Sequence, residues 1–134
     1  NKYMPEYIIE RMSRILSIRF KKSLNDSSIL LLGVSYKKDI GDLRESPVLE
    51  IIKKLEKENA NISYYDPYIP KFTSRTKEYK SLIELNPKEI KDKDIIIITT
   101  NHTKIDYEMV IRNAKIIFDT RSDIKDEKEN VEKL

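Results

Sequence analysis

A charged loop holds the residues of this chain that are best suited to bind an anion. It lies between an apolar run at residues 29–32 and a helical pattern that begins at residue 46. Its chemically useful residues are, in chain order, Tyr36, Lys37, Lys38, Asp39, Asp42, Arg44 and Glu45. Lysine supplies a compact charge, arginine a planar set of donors, and tyrosine a ring that can stack on a base. Two interpretations of this loop stay open. It could bind a nucleotide-type ligand, or it could be a charged loop without a function.

The loop does not contain the glycines of a dinucleotide-binding turn. Such a turn has Gly-x-Gly-x-x-Gly directly after the first strand, so that the backbone can approach a pyrophosphate. The chain has two glycines, Gly33 and Gly41, and Tyr36 and Lys38 stand where further glycines are expected. A phosphate bound here must therefore be held by side chains. The candidates are Lys37, Lys38, Arg44 and Arg121.

Strand and helix patterns alternate along the chain. Apolar runs typical of buried strands cover residues 29–32, 62–65, 94–100 and 115–118. Helical patterns cover 4–22, 46–57 and 106–113, and a short helix or turn broken at Pro87 covers 82–90. This alternation predicts an α/β fold, a Rossmann-like three-layer sandwich with a mainly parallel sheet, preceded by an N-terminal helix.

The predicted topology brings several loops to one edge of the sheet. The polar residues that follow predicted strand ends are Lys37, Asp66, His102 and Arg121. Open α/β sheets bind ligands at the carboxyl ends of their strands, so we expect these residues to lie along that edge. Because Pro67 follows Asp66, a turn-forming role is at least as good an interpretation as a ribose contact. A single histidine is more often structural, so His102 is left out of the predicted site.

Simpler interpretations apply elsewhere in the chain. Ser46 is predicted to be the N-cap of the second helix and Pro47 its first residue. Residues 71–80 show no apolar period and are predicted to be loop. From Ser122 onward charge dominates, which predicts a weakly ordered tail or a surface for a partner. A solvated face of the first helix is predicted for Arg11, Arg14 and Arg19.

Composition excludes several classes of function. The 134 residues are 39% hydrophobic and 37% charged, which is typical of one soluble domain. The absence of cysteine excludes disulfides, a thiolate metal site and a cysteine nucleophile within this sequence, and no metal site is expected. A net charge of +3 gives little attraction for nucleic acid. No apolar run reaches the roughly 20 residues of a membrane span, and no secretory signal is visible, so a cytoplasmic protein is expected.

Several ordered motifs resemble a known enzyme family. Gly-Val-Ser-Tyr-Lys-Lys-Asp at 33–39 and Gly-Asp-Leu-Arg-Glu-Ser-Pro at 41–47 resemble the signature that opens the carboxy-terminal domain of the UDP-glucose/GDP-mannose dehydrogenase family. Tyr-Asp-Pro, Thr-Thr-Asn-His and Asp-Thr-Arg follow in the family's order, ending at residues 67, 102 and 121. The resemblance covers residues 28–121. Met-Pro-Glu-Tyr at 4–7 is more similar to the branch that acts on UDP-N-acetylhexosamines (ManNAc or GlcNAc) than to the UDP-glucose branch.

The resemblance implies an NAD-dependent, four-electron oxidation of a nucleotide sugar at C6 to a uronate. In the family an amino-terminal Rossmann domain holds NAD, a central helix bears the region of dimer contact, and a cysteine forms the covalent intermediates. The intact enzyme is therefore expected to be a homo-oligomer. Since the chain begins with Asn1, we expect a piece of a longer protein. Residues 1–25 would lead in from its central region and 26–134 would form the nucleotide-sugar-binding domain, which should bind and not catalyse.

The resemblance also implies roles for individual residues. Tyr36, Lys37 and Arg121 match residues that contact the UDP-sugar. Arg44 matches an arginine that reaches the NAD of the other domain. The resemblance implies structural roles for Asp42, Glu45 and Ser46, which would form hydrogen bonds within the loop and cap the helix. This chain departs from the family's pattern in two places. It has Asn101 where the family usually has Asp, and Ser122 where the family commonly has Asn.

Two other classes of protein stay open. A non-enzymatic α/β interaction module could use the charged edge to meet a protein or a nucleic acid, although the nearly balanced charge argues against it. A flavodoxin-like phosphate or flavin binder would share the architecture. It would leave the loop from Lys37 to Arg44 unexplained.

Overall fold

The computed structural model describes residues 3–75 and 77–134. The elements in chain order are α1 (Met4–Phe20), β1 (Ser28–Leu32), α2 (Val48–Lys57), β2 (Asn61–Tyr65), β3 (Lys71–Ser74), β4 (Lys77–Lys80), α3 (Pro87–Lys91), β5 (Ile95–Ile98), α4 (Tyr107–Asn113), β6 (Ile117–Asp119) and β7 (Val131–Lys133). Within this described part, five strands form one sheet in the order β2-β1-β5-β6-β7, with all neighbours parallel.

The apolar runs of β1 and β5 form the middle of the sheet. Side chains alternate between the two faces of a strand, so Ile29 and Leu31 of β1 pack in one core and Leu30 and Leu32 in the other. The first core is completed by α1 and α2, and the second by α3 and α4. A sheet covered on both faces explains why these strands read as unbroken apolar runs. The predicted three-layer α/β sandwich is confirmed.

The first helix packs into the same core as the rest of the chain. Met12 and Leu16 of α1 are fully buried in the cluster that also contains Ile52 and Leu55 of α2. The helix ends at Phe20, two residues earlier than predicted, and Lys21 takes a left-handed conformation with φ 54°. The division at residue 25 stays a prediction. Asn1 and Lys2 lie outside the described residues.

Two arginines of α1 contact the last strand rather than solvent alone. The Arg11 guanidinium donates from Nη2 to the carbonyl oxygen of Lys133 at 2.8 Å. Arg19 forms an ion pair with Glu132, with 2.7 Å between Nη2 and Oε2. Arg14 and Arg19 are exposed, as the predicted solvated face requires, whereas Arg11 is half-buried. The sequence did not predict the contacts with β7.

Residues 71–80 form a hairpin, so the predicted loop was wrong. β3 and β4 pair antiparallel, with Phe72 opposite Tyr79, and their rings stack with centroids 5.3 Å apart. Phe72 also packs on Tyr64 of β2, with centroids 5.1 Å apart. Each short strand has one buried aromatic residue, which is too few to give a visible apolar period. Thr76 lies outside the described residues.

The charged tail is ordered, so the expectation of a weakly ordered segment was wrong. β7 pairs with β6, and Ile124 is buried in the second core. The Asn130 side-chain amide donates to the carbonyl oxygens of Ile111 and Ala114 at 2.9 and 3.0 Å. Polar bonds of this kind fix the tail, and hydropathy does not reveal them.

The second helix begins at Val48, one residue after Pro47, which was predicted to be its first residue. Pro47 occupies the position before it, so Ser46 is not the N-cap. The Ser46 hydroxyl instead donates to the Val34 carbonyl at 2.8 Å and accepts from the Val48 amide at 3.3 Å. This hydroxyl ties the start of α2 to the loop after β1.

Replacing the buried Leu16 with alanine should lower the free energy of unfolding of the whole chain by about 2–5 kcal/mol. Leu16 is 0% exposed and packs in the shared core, so its loss leaves a cavity there. The matched control is Ile18→Ala on the same helix, since Ile18 is 66% exposed and should change stability by less than about 0.5 kcal/mol. Urea unfolding followed by circular dichroism measures both. Equal effects of the two changes would mean that α1 unfolds separately.

Candidate functional site

Gly33 allows the ends of β1 and β5 to approach closely. Its φ is +82°, and a Cβ built on it would lie 2.2 Å from the Thr100 carbonyl oxygen. The space beside this glycine is therefore filled by the neighbouring strand end. The turn after β1 does not fit a dinucleotide pyrophosphate as a glycine-rich turn does, because the close approach of Thr100 takes the space beside Gly33.

The backbone that follows Gly33 is held by the carboxylate of Asp66, which comes directly after β2. Its Oδ2 accepts hydrogen bonds from the amides of Val34 at 2.8 Å and Ser35 at 3.3 Å, and its Oδ1 accepts from the Tyr68 amide at 2.8 Å. The side chain is fully buried. Asp66 thus holds the turn, and its carboxylate is not exposed to a ribose.

His102, directly after β5, completes this arrangement. Its side chain is also fully buried, with Nε2 lying 2.9 Å from Asp66 Oδ2 and 3.1 Å from Ser35 Oγ. Its Nδ1 accepts a hydrogen bond from the Asp39 amide at 2.8 Å. The Tyr68 ring packs on the imidazole, with centroids 4.8 Å apart. His102 is therefore a satisfied buried residue, as the sequence suggested, and it contacts the predicted binding loop.

The far end of the loop is tied to the segment after β5. Asp39 has a left-handed backbone with φ 64°, and its carboxylate accepts from the Thr103 amide at 2.7 Å and from the Thr103 hydroxyl at 2.5 Å. These bonds from Thr103 hold the pKa of the Asp39 carboxyl below its usual range. Both ends of the segment 35–39 are thus attached to neighbouring strand ends.

The side chains between these attachments point outward. Tyr36, Lys37 and Lys38 are exposed, and the Lys37 ammonium lies 5.6 Å from the centroid of the Tyr36 ring. Backbone bonds hold this segment, and long side chains are left to reach a ligand. Arg44 lies further along the same loop and is folded onto Asp42, with Nε 3.1 Å from Oδ1 and Nη2 3.2 Å from Oδ2. Its side chain is 89% exposed.

Arg121 stands on the same sheet edge, after β6. The buried Asp119 accepts from the amides of Arg121 at 3.0 Å and Ile124 at 2.8 Å, which fixes the turn. The Arg121 side chain is exposed. Since β5 lies between β1 and β6, the strands that carry Lys37 and Arg121 are about 10 Å apart. The structure thus brings Asp66 and His102 into contact and places Lys37 and Arg121 on one edge, as the predicted topology requires.

Sequence reasoning missed the two threonines that join β1 to β5. The Thr100 hydroxyl donates to the Ser35 carbonyl at 2.7 Å. The Thr99 hydroxyl donates to the carbonyl oxygens of Leu32, at 3.1 Å, and of Gly33. A pair of threonines at the end of an isoleucine run was the available signal, but their partners lie more than 60 positions away in the sequence.

The fold and this edge define a Rossmann-like α/β domain whose first strand is followed by a charged loop and not by a glycine-rich turn. The chain belongs to the UDP-glucose/GDP-mannose dehydrogenase family. Residues 30–126 match the UDP binding domain of that family.

Individual relatives agree with this assignment. The chain is 30% identical to UDP-glucose 6-dehydrogenase of Rickettsia bellii over 98% of its own length and 31% of the relative. It is 28% identical to UDP-N-acetyl-D-mannosamine dehydrogenase of Methanocaldococcus jannaschii over 91% of its length and 27% of the relative. The structure of UDP-D-ManNAc dehydrogenase from Pyrococcus horikoshii shares the fold, with a TM-score of 0.77 at 23% identity over 99% of this chain and 30% of that one. The chain thus spans about a third of these proteins.

Two kinds of feature are absent from the described residues, 3–75 and 77–134. No helix there has the length and apolar character needed to cross a membrane. No group of three or more His, Cys, Asp or Glu side chains in that part is arranged to hold a metal ion.

The Asp66→Asn variant should lose stability in a pH-dependent way. Burial favours the neutral form of Asp66, but bonds from His102 and from the amides of Val34 and Tyr68 outweigh it, so the pKa lies below its usual range. The charge therefore stabilises the fold fully above about pH 4, and this stabilisation is lost as the pH falls through the lowered pKa. We expect a loss of about 1–3 kcal/mol at pH 7 that shrinks toward pH 2.

Thermal or urea unfolding of both proteins from pH 2 to pH 7 measures this difference. The exposed Asp126→Asn change removes a charge without these bonds and serves as the control. Parallel stability curves for the wild type and Asp66→Asn would show that the carboxylate charge does not hold the loop.

Proposed function

We propose that this chain is the nucleotide-sugar-binding domain of an NAD-dependent UDP-N-acetylhexosamine 6-dehydrogenase, which oxidises C6 of ManNAc or GlcNAc to a uronate. The single observation that carries the proposal is the pair of exposed cations, Lys37 and Arg121, at the carboxyl edge of a sheet in a chain of this family. The choice of a hexosamine is supported by the motif at 4–7 and by the UDP-N-acetyl-D-mannosamine dehydrogenases among the relatives.

The diphosphate is the part of the ligand that these cations suit. A diphosphate needs several donors, and the amides of Val34 and Ser35 are already bonded to Asp66, so we assign these donors to side chains. The strands that lead to Lys37 and Arg121 are about 10 Å apart, and we assign the two long side chains to one bridging anion. Tyr36, exposed beside the Lys37 ammonium, is assigned to the uridine or to a hydrogen bond through its hydroxyl.

Arg44 is assigned to the NAD side of the complete enzyme. Its guanidinium is almost fully exposed and is held by Asp42 within its own loop. A phosphate of a dinucleotide bound to another domain could replace this carboxylate, since both are anions that accept two guanidinium bonds. NAD itself is proposed to bind mainly outside this chain.

The remaining features of the enzyme are proposed for the whole protein. This sequence has no cysteine, so the nucleophile that the family uses must come from another part of the protein. We propose that residues 26–134 bind the nucleotide half of the substrate and that residues 1–25 connect to the central region. We also propose that the complete enzyme is a homo-oligomer in the cytoplasm.

Calorimetric titration of the chain with UDP tests the proposed site. We expect weak binding, in the micromolar to millimolar range, because the sugar-binding part of the enzyme is missing. Lys37→Ala and Arg121→Ala should each weaken UDP affinity about tenfold, the effect of losing one charge-assisted contact of roughly 1.5 kcal/mol. Added salt should weaken wild-type binding as well, since the cations are exposed.

The control is Lys57→Ala, which removes an exposed lysine at the end of α2, near the amino end of β2. It changes the net charge as Lys37→Ala does but should leave UDP affinity unchanged. No measurable heat at millimolar UDP, or equal losses in Lys57→Ala and Lys37→Ala, would contradict the proposed site.

A further inference from the structure

The buried ring of His102 lies under the loop that presents Tyr36 and Lys37. The side chains of His102 and Asp66 are both 0% exposed, and 2.9 Å separates Nε2 from Oδ2. The other ring nitrogen lies 2.8 Å from the backbone nitrogen of Asp39. The ring therefore contacts the residue after β2 and the loop after β1. It is itself buried and out of reach of a ligand.

These contacts fix the tautomer of the ring. A backbone amide can only donate, so Nδ1 of His102 must be unprotonated to accept from Asp39. The ring proton then lies on Nε2, where Asp66 Oδ2 accepts it and Ser35 Oγ is a second acceptor. The Ser35 hydroxyl keeps its own proton for the Lys37 carbonyl, at 2.9 Å. Every donor in this set thus has an acceptor.

The two ring nitrogens hold the loop on either side of Lys37. Nε2 acts through Ser35, two residues before it, and Nδ1 through the amide of Asp39, two residues after it. The three residues between these points are exposed and lack burial of their own to hold them. The direction in which Lys37 extends therefore depends on where the backbone is fixed at 35 and 39.

We propose that His102 is a positioning residue for the anion-binding lysine: acceptance of the Asp39 amide by Nδ1 sets the loop so that Lys37 meets the diphosphate. This inference rests on the proposed function and deepens it. His102 touches no ligand and acts through Lys37. The neighbouring charges are Asp66 at Nε2, the Asp39 carboxylate with Oδ1 3.9 Å from Nδ1, and Lys104, whose ammonium lies 4.9 Å from the Tyr68 ring.

Two substitutions separate the functions of the two nitrogens. In His102→Asn, the amide oxygen can take the place of Nδ1 and accept from Asp39, while the contact at Nε2 is lost. In His102→Gln, the amide nitrogen can take the place of Nε2 and donate to Asp66, while the acceptor for Asp39 is lost. Both variants lose the ring that packs on Tyr68, so they are matched for packing.

Calorimetry with UDP should show a loss of about fivefold or more in His102→Gln and a change of less than about twofold in His102→Asn. In a Lys37→Ala background, His102→Gln should cause only a small part of its full loss, because the histidine acts mainly through that lysine. Urea unfolding checks that each variant is folded under the conditions of the titration. Equal losses in the two variants, or a full additional loss in the double variant, would overturn the proposal.

A measurement without ligand separates this proposal from the proposed function. In the wild-type chain, ¹⁵N NMR of the ring should show the proton on Nε2, and exchange of the Asp39 amide hydrogen should be slow. Exchange should become faster in His102→Gln and stay slow in His102→Asn. A proton on Nδ1, or unchanged exchange in His102→Gln, overturns the role of His102 even if UDP binds. Failure of wild-type UDP binding refutes the UDP site, and the exchange measurement then decides whether His102 fixes the loop.

Discussion

One buried carboxylate holds together the loops at the carboxyl edge of the sheet. Asp66 accepts from the amides of Val34, Ser35 and Tyr68 and from the ring of His102. Burying a charge is unfavourable, and these four donors compensate for it at a point where three strands end. Because β1, β2 and β5 all contribute to this cluster, the exposed loop residues keep a fixed relation to the sheet.

The same constraint supports the proposal that side chains bind the anion. A glycine-rich turn presents free amides to a phosphate, but here the first two amides after Gly33 are directed to Asp66. The glycine itself serves the close approach to Thr100. These two backbone donors are thus used inside the protein, and the exposed positive charge at the edge comes from lysine and arginine.

The sequence was sufficient for the parts of the fold that depend on hydrophobicity. The apolar runs of β1 and β5 predicted a parallel sheet, and its topology then placed the residues after β1 and β6 on one edge. The sequence was not sufficient where a small number of polar or aromatic contacts determine the structure. The hairpin depends on Phe72 and Tyr79, and the order of the tail depends on Asn130.

The candidate site divides in the same way. Residue types and strand ends identified Lys37 and Arg121 as members of one edge, and the four ordered motifs identified the family. The contact between His102 and Asp66 could not be read from the sequence, because it depends on the course of two loops and on side-chain directions. A lone histidine carries no pattern that reveals a partner 36 positions away.

The contact between the first helix and the last strand also affects how the molecule meets other chains. β7 is an outer strand of the sheet, and such a strand exposes backbone groups that can pair with a foreign strand. Arg11 already occupies the carbonyl of Lys133, and Arg19 draws Glu132 toward the helix. An incoming strand would have to displace the Arg11 guanidinium from the Lys133 carbonyl before it could pair there, which disfavours extension of the sheet at this border.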